Sequence, residues 1–199
     1  IPADGGAVLW EGRDLTTLSR AEMRAFRRSV QLVAQNPEQA FDPRRSIGGS
    51  LSEVFAIHPV LLRAGADARA QIVETLSAVE LTERVLTRHP HELSGGMLQR
   101  VLCAMADAGE PQWILADEPT KGLDPAVWQM AADNLRRLCA CGRVSLLLIT
   151  HDIPLAAQLA DRVVVMQAGH IVAQGRDVWS DPQFPYREGQ GRMGAAAEQ

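Results

Sequence analysis

Long apolar runs, a cysteine framework and an excess of basic residues are all missing from this sequence of 199 residues. No window approaches the roughly 18 consecutive apolar residues that a membrane-spanning helix requires, so we expect any membrane role to come through a partner. The three cysteines, Cys103, Cys139 and Cys141, have neither an even number nor zinc-ligand spacing, which indicates reduced thiols. The formal net charge of −4 gives no overall attraction to nucleic acid, and we expect no nucleic-acid partner.

The amino terminus lacks both an initiator methionine and the charged-then-apolar pattern of a secretion signal. From this absence we expect the chain to begin inside a longer protein. Its hydrophobic fraction of 46% and charged fraction of 22% are those of an ordinary globular protein. A chain of this size can bury roughly 70% of its unfolded surface, which is enough for a real core.

Two motifs in the middle of the chain carry the strongest chemical signal. In residues 93–100, Ser94 caps a predicted helix that opens with Gly95 and Gly96, and such a turn presents bare backbone N–H groups to an anion. Residues 113–116 predict a short strand that ends in Asp117 and Glu118. Adjacent acids at a strand end can hold Mg²⁺ and activate water, so the pair of motifs predicts a nucleotide-hydrolysing site.

Two further strands bring polar residues to the same predicted edge. Residues 145–149 form an apolar run followed by His151, and the intervening helix at 125–138 implies that this strand is parallel to the preceding one. An earlier strand at 29–34 leads to Gln35. Because ligands bind beyond the carboxyl ends of parallel strands, we expect these residues to lie at one rim.

The carboxylates at this rim need different roles if the site hydrolyses ATP. We assign Asp117 to the metal ion and Glu118 to the base that aligns and deprotonates water. His151 can donate a hydrogen bond to a terminal phosphate, and the amide of Gln35 can touch Mg²⁺ or the water. Asp124 precedes Pro125 and is expected to cap the next helix whether or not it also acts across an interface.

Taken together, the motif set resembles the nucleotide-binding domain of ATP-binding cassette (ABC) transporters. Residues 93–97 correspond to that family's signature, residues 113–118 to its Walker B motif and residues 122–124 to its D-loop, with Gln35 as loop glutamine and His151 as switch histidine. Met97, the run at 35–43 and the run at 181–186 resemble the branch that imports oligopeptides, dipeptides and nickel. The resemblance implies an α/β fold, a P-loop NTPase-like and mainly parallel sheet with an inserted helical subdomain.

On this basis we expect a catalytic core at residues 1–43 and 93–175, a helical subdomain at 44–92 and a carboxyl-terminal tail at 176–199. The resemblance implies ATP and Mg²⁺ as cofactors and a head-to-tail dimer with an identical or homologous ATPase subunit. In such a dimer Ser94, Gly95 and Gly96 touch ATP held by the other subunit, with Asp124 at the interface. It also implies transmembrane permease partners and a peripheral location on the cytoplasmic face of the inner membrane.

One part of that machinery is absent. No Gly-x-x-x-x-Gly-Lys-Ser/Thr motif, the Walker A loop that cradles phosphates, occurs in the 199 residues. A helix N-terminus contributes roughly 0.3–2 kcal/mol toward an anion, whereas micromolar affinity needs about 8 kcal/mol. We therefore expect this stretch alone to be inactive, and the loss of preceding strands to leave sheet edges and apolar faces unpaired.

The leading interpretation is an ATP-hydrolysing subunit that powers import of peptides or nickel. One alternative is a cassette protein without a transport role that acts on DNA or ribosomes, although the compact stretch between Gln35 and Ser94 leaves no room for a long coiled coil or zinc module. The other alternative is a non-catalytic regulator that senses nucleotide. The presence of Glu118 and His151 weighs against it.

Overall fold

The computed structural model describes residues 5–64, 67–140, 142–176 and 178. The chain divides into two compact units, Ile1–Leu155 and Ala156–Gln199. The predicted site residues all fall in the first unit.

A three-stranded parallel sheet forms the centre of the first unit. Its strands are β3 (Val30–Val33), β4 (Trp113–Asp117) and β5 (Ser145–Ile149), in the spatial order β3-β4-β5. The register is flush, with Leu32 opposite Leu115 and Leu115 opposite Leu147. The predicted parallel arrangement is therefore confirmed, and all three carboxyl ends meet at one edge of the sheet.

Two long helices, α4 (Gly95–Ala108) and α5 (Pro125–Cys139), pack on each other, and α4 also packs on β3. Both helices begin where the sequence predicts. The Ser94 hydroxyl accepts the N–H of Met97 at 3.3 Å, and Asp124 Oδ1 accepts two N–H groups of the first turn of α5. These caps satisfy donors that a helix start leaves unpaired. They thereby fix the residue at which each helix begins.

In the described part of residues 44–92 the regular elements are helices joined by turns and loops. The α-helices here are α2 (Ile47–Ile57) and α3 (Ala68–Ser77), the second capped by Asp67. Short 3-10 segments flank them at Pro37–Ala40, Pro59–Leu61, Glu83–Thr87 and Pro90–Glu92. Ile47, Leu51 and Leu76 are fully buried, which gives this region apolar packing of its own. The exact subdomain boundaries stay predictions.

The amino-terminal region carries a hairpin and a helix. Strands β1 (Leu9–Trp10) and β2 (Arg13–Asp14) pair antiparallel, and helix α1 (Arg20–Ser29) follows a 3-10 segment at Leu15–Thr17. A capping box between Ser19 and Glu22 starts α1. Such reciprocal hydrogen bonds satisfy two donors at once.

The second unit contains a hairpin of β6 (Val163–Gln167) and β7 (His170–Gly175), and helix α6 (Ile153–Leu159) runs across the boundary between the two units. The hairpin turns at Ala168 and Gly169, both with positive φ, a conformation typical of tight hairpin turns. The motif at 181–186 and most of the tail at 176–199 lie outside the described residues. Within the described ranges, no helix is both long and apolar enough to cross a membrane.

Candidate functional site

The carboxyl end of β4 carries the two predicted acids. Asp117 is the last residue of β4 and is half-buried, and Glu118 follows it directly. The backbone N–H of Glu118 donates to the carbonyl of Ile149 at 2.8 Å, which continues the β4–β5 pairing by one residue. Glu118 is thereby fixed against the end of the neighbouring strand.

Glu118 adopts a left-handed backbone conformation with φ of 45°. Such a conformation costs a non-glycine residue about 1–3 kcal/mol and persists only where surrounding contacts impose it. One of those contacts is the bond from the N–H of Lys121 to the Glu118 carbonyl, at 3.1 Å. The conformation turns the chain sharply at the strand end, where the acid side chain meets residues that follow β5.

Glu118 and His151 are in direct contact. The Nδ1 atom of His151 lies 2.7 Å from Glu118 Oε1, and the same oxygen accepts the backbone N–H of His151 at 3.1 Å. The Thr150 hydroxyl donates to Glu118 Oε2 at 3.4 Å. The carboxylate side chain is only 18% exposed, whereas the imidazole is 70% exposed. The histidine thus binds the carboxylate through one ring edge and presents the Nε2 edge to solvent.

Asp152, which directly follows His151, carries a second carboxylate that was not among the predicted site residues. Asp152 accepts the indole N–H of Trp128 and the hydroxyl of Thr120, the latter at 3.2 Å. Its other oxygen accepts the N–H of Leu155 at 3.1 Å. No spacing in the sequence points to this bond between Trp128 and Asp152, which lie 24 residues apart.

The two glycines at the start of α4 have different surroundings. A Cβ atom on Gly95 would meet nothing within 4 Å, whereas one on Gly96 would overlap a methyl group of Val127 on α5. Ser94 and Gly95 are exposed. In the described part of the chain, no hydrogen bond joins residues 94–96 to the Glu118–His151 pair. Residues 94–96 therefore form a group separate from the Glu118–His151 pair, and α5 contacts this group through Val127.

The residues predicted to hold metal have the right donor atoms. Asp117 offers a carboxylate, and Gln35 lies beyond the end of β3 with its amide exposed. The described residues contain no cluster of three or more His, Cys, Asp or Glu side chains that could hold a metal ion. Magnesium at nucleotide sites is held by one or two carboxylates together with substrate phosphates. The residues present fit that kind of coordination.

A parallel sheet whose carboxyl edge carries a paired acid and histidine, beside a capped glycine turn, defines the class of nucleotide-hydrolysing cassette domains. Residues 1–121 match the family described as ABC transporter. The chain belongs to this family, which confirms the resemblance drawn from the sequence motifs.

Known relatives and structures support the same conclusion. The chain is 36% identical over 187 residues to the oligopeptide transport ATP-binding protein OppD of Bacillus subtilis, covering 92% of this chain and 52% of that protein. It is also 36% identical over 189 residues to the dipeptide transport ATP-binding protein DppD of the same organism, covering 92% and 56%. The chain thus spans about half the length of these relatives.

Among solved structures, a dimeric ATP-binding cassette in a post-hydrolysis state, bound to ADP and Pi, matches with a TM-score of 0.67 and 27% identity. The match covers 83% of this chain and 71% of that one. The expected α/β fold of the P-loop NTPase type is confirmed. The individual roles assigned to the site residues remain predictions.

Proposed function

We propose that the protein carrying this chain is the ATP-binding and ATP-hydrolysing subunit of an ABC importer for peptides. The observation that carries the proposal is the contact between Glu118 and His151 at adjacent strand ends. The names of OppD and DppD, which state oligopeptide and dipeptide transport, support peptides as the cargo. Uptake of nickel stays a prediction from the sequence.

In this proposal each residue at the sheet edge has a distinct task. The half-buried carboxylate of Glu118 aligns the attacking water and accepts its proton. His151 donates from its exposed Nε2 edge to the terminal phosphate, while Glu118 fixes the ring through Nδ1. Asp117 and Gln35 hold Mg²⁺, which neutralises charge on the phosphates when bound.

The Ser94–Gly96 turn serves a second ATPase subunit, identical or homologous. Ser94 and Gly95 are exposed at a helix start, where free N–H groups and the helix dipole favour an anion. A head-to-tail dimer brings this turn, together with Asp124, to the ATP held by the other subunit. Transmembrane permease subunits bind at the Gln35 loop and the helical subdomain, at the cytoplasmic face of the inner membrane.

The phosphate loop is the part of the machinery that residues 1–199 do not contain. We therefore expect ATPase activity from the full gene product, meaning the whole polypeptide that its gene encodes, and not from residues 1–199 alone. Magnesium-dependent hydrolysis by residues 1–199 that is lost on Glu118→Gln would contradict this expectation.

The decisive experiment replaces Glu118 by glutamine in the full gene product. We expect a loss of kcat of about 10²- to 10⁴-fold, the range for removing a general base, while ATP binding measured by calorimetry is retained. Glu110→Gln is the matched control, because Glu110 also has a positive φ of 47° but is exposed and precedes the start of β4, whereas Glu118 follows its end.

The control must keep wild-type kcat. Equal losses in both variants, or full activity of Glu118→Gln, would overturn the proposed role of the acid. His151→Ala with His170→Ala as its control repeats the comparison for the histidine.

Peptide uptake into vesicles that hold the permease tests the cargo, and uptake that does not depend on added ATP would count against an importer.

A further inference from the structure

Trp128 forms a side-chain bond to the residue that follows the proposed switch histidine. Its indole N–H donates to Asp152 Oδ2, and the hydroxyl of Thr120 donates to the same oxygen at 3.2 Å. Trp128 is half-buried, and Thr120 is only 5% exposed. Hydrogen bonds to a carboxylate at a partly buried position are among the stronger ones in proteins, so this contact constrains both partners.

Asp152 in turn fixes the turn that carries His151. Its backbone N–H donates to the Thr150 hydroxyl at 3.0 Å, and that hydroxyl donates to Glu118 Oε2. Its Oδ1 atom accepts the N–H of Leu155 at 3.1 Å. Both residues that flank His151 are therefore hydrogen-bonded to other elements, Thr150 to Glu118 and Asp152 to Trp128 on α5.

The first turn of α5 is also held by contacts that do not involve Asp152. Asp124 caps it with two hydrogen bonds of 3.1 Å, and Val127 packs so closely on Gly96 that no Cβ fits there. Because β-branched side chains have a single strongly preferred rotamer in a helix, Val127 cannot easily turn away. The position of Trp128 is thus set by the cap and by the α4 contact, independently of Asp152.

We infer that Trp128 is a positioning residue for the Glu118–His151 pair, acting through Asp152. The indole N–H holds the Asp152 carboxylate, which sets the Thr150–Asp152 turn and hence the direction of the His151 ring. The inference rests on the proposed ATPase function, because it assigns a role within that same site. In this role Trp128 acts through Asp152 and takes no direct part in the reaction.

The test replaces Trp128 by phenylalanine in the full gene product, which keeps an aromatic ring and removes the N–H donor. Because displacing a catalytic group by about 1 Å can cost up to 10²-fold, we expect kcat to fall about 10- to 100-fold, with KM for ATP within about twofold of wild type. Trp10→Phe is the matched control, since Trp10 packs edge-on against Phe26 in the amino-terminal region. That control keeps wild-type kcat and KM.

A double-mutant cycle with Asp152→Asn separates positioning from general damage. If Trp128 acts through Asp152, the double variant is no slower than the slower single variant. Additive losses would overturn the inference, as would a Trp128→Phe enzyme with wild-type kcat or one whose KM rises as much as its kcat falls. Melting temperatures of all variants show whether a loss of kcat comes from unfolding. If Trp128→Phe loses activity because it unfolds, Asp152→Asn alone tests the inference by the same kinetic criteria.

A spectroscopic measurement keeps this inference distinct from the proposed function. In the wild-type protein, NMR should find the Trp128 indole proton slow to exchange, and Trp128→Phe should shift the His151 ring nitrogen resonances while Trp10→Phe does not. If the wild-type full gene product lacks ATPase activity, the proposed function fails and these resonances alone decide the positioning role. Unchanged His151 resonances in Trp128→Phe would overturn it.

Discussion

Gly95 and Gly96 are adjacent in the signature turn, yet they face different constraints. Replacing Gly96 by alanine places a methyl group against Val127, and overpacking of this kind costs about 1–3 kcal/mol. Gly95→Ala meets open space, and alanine is the better helix former, so stability should stay level or rise slightly. We expect thermal unfolding of the full gene product to show a lower Tm for Gly96→Ala only.

The contact between Gly96 and Val127 can be isolated by a second substitution. Combining Gly96→Ala with Val127→Ala removes the methyl groups that the new Cβ would overlap, so most of the lost stability should return. Equal melting temperatures for Gly95→Ala and Gly96→Ala would show that the close approach is unimportant. ATPase activity gives an independent readout, because Gly95→Ala should lower kcat without lowering Tm if Gly95 meets the partner's ATP.

Motif spacing predicted the residues at the sheet edge better than it predicted their supports. Glu118 and His151 each follow an apolar run, and parallel strands necessarily bring such positions to one edge. The bond between Trp128 and Asp152 depends on how α5 packs against that edge, which helical periodicity does not specify. The close approach of Gly96 to Val127 is a packing distance between two helices and is likewise invisible in one sequence.

At the level of single elements, the last turn of α4 contains Asp107, at a position where a negative charge is unfavourable. Burial raises the pKa of Asp107 above its ordinary value of 3.8, although Arg137 and Arg143 oppose the shift. A negative charge in the last turn of a helix also faces the negative end of the helix dipole. The ionised form of Asp107 is therefore less favourable in the folded protein than in the unfolded chain.

The sign of the pH dependence follows from that raised pKa. The stability contributed by neutral Asp107 is present at low pH and is lost as the pH rises through the folded-state pKa, which lies above 3.8. Asp107→Asn should therefore raise the Tm at pH 7, with the gain shrinking as the pH falls toward 4. Thermal denaturation across this range measures the effect.

Asp133→Asn provides the control for Asp107→Asn, because Asp133 is exposed on α5 and pairs with Arg136. It should give no gain in Tm at pH 7. If Asp107→Asn lowers the Tm at pH 7, the ion pair with Arg137, at 3.9 Å, outweighs the cost of burial and the interpretation is wrong.

Elements with local signals were the most predictable parts of the fold. The caps at Ser94 and Asp124 both rest on residues close in sequence. Hydrogen bonds between near neighbours need no knowledge of the rest of the chain. Strand ends were predicted to within about a residue because polar side chains stop each apolar run.

For the molecule as a whole, the central sheet is covered on one face and open on the other. Val33, Ile114 and Ala116 are buried, whereas Leu32 is 59% exposed, Leu147 50% and Ile149 55%. Parallel sheets are normally buried on both faces. The apolar face that we expect to be unpaired is therefore the side of the sheet that carries Leu32 and Leu147.

This open face predicts how residues 1–199 behave on their own. Apolar surface on a sheet that also has unpaired edges favours association between copies, so residues 1–199 should sediment as a concentration-dependent mixture of oligomers. Leu147→Thr places a β-branched residue, which strands favour, at this position while removing apolar area, and should shift the mixture toward monomer. Val60 is 72% exposed but lies outside the sheet, so Val60→Thr should leave the distribution of oligomers unchanged. A monomer at all concentrations with a sharp cooperative melt would contradict the prediction, because the open face would then carry no cost in water.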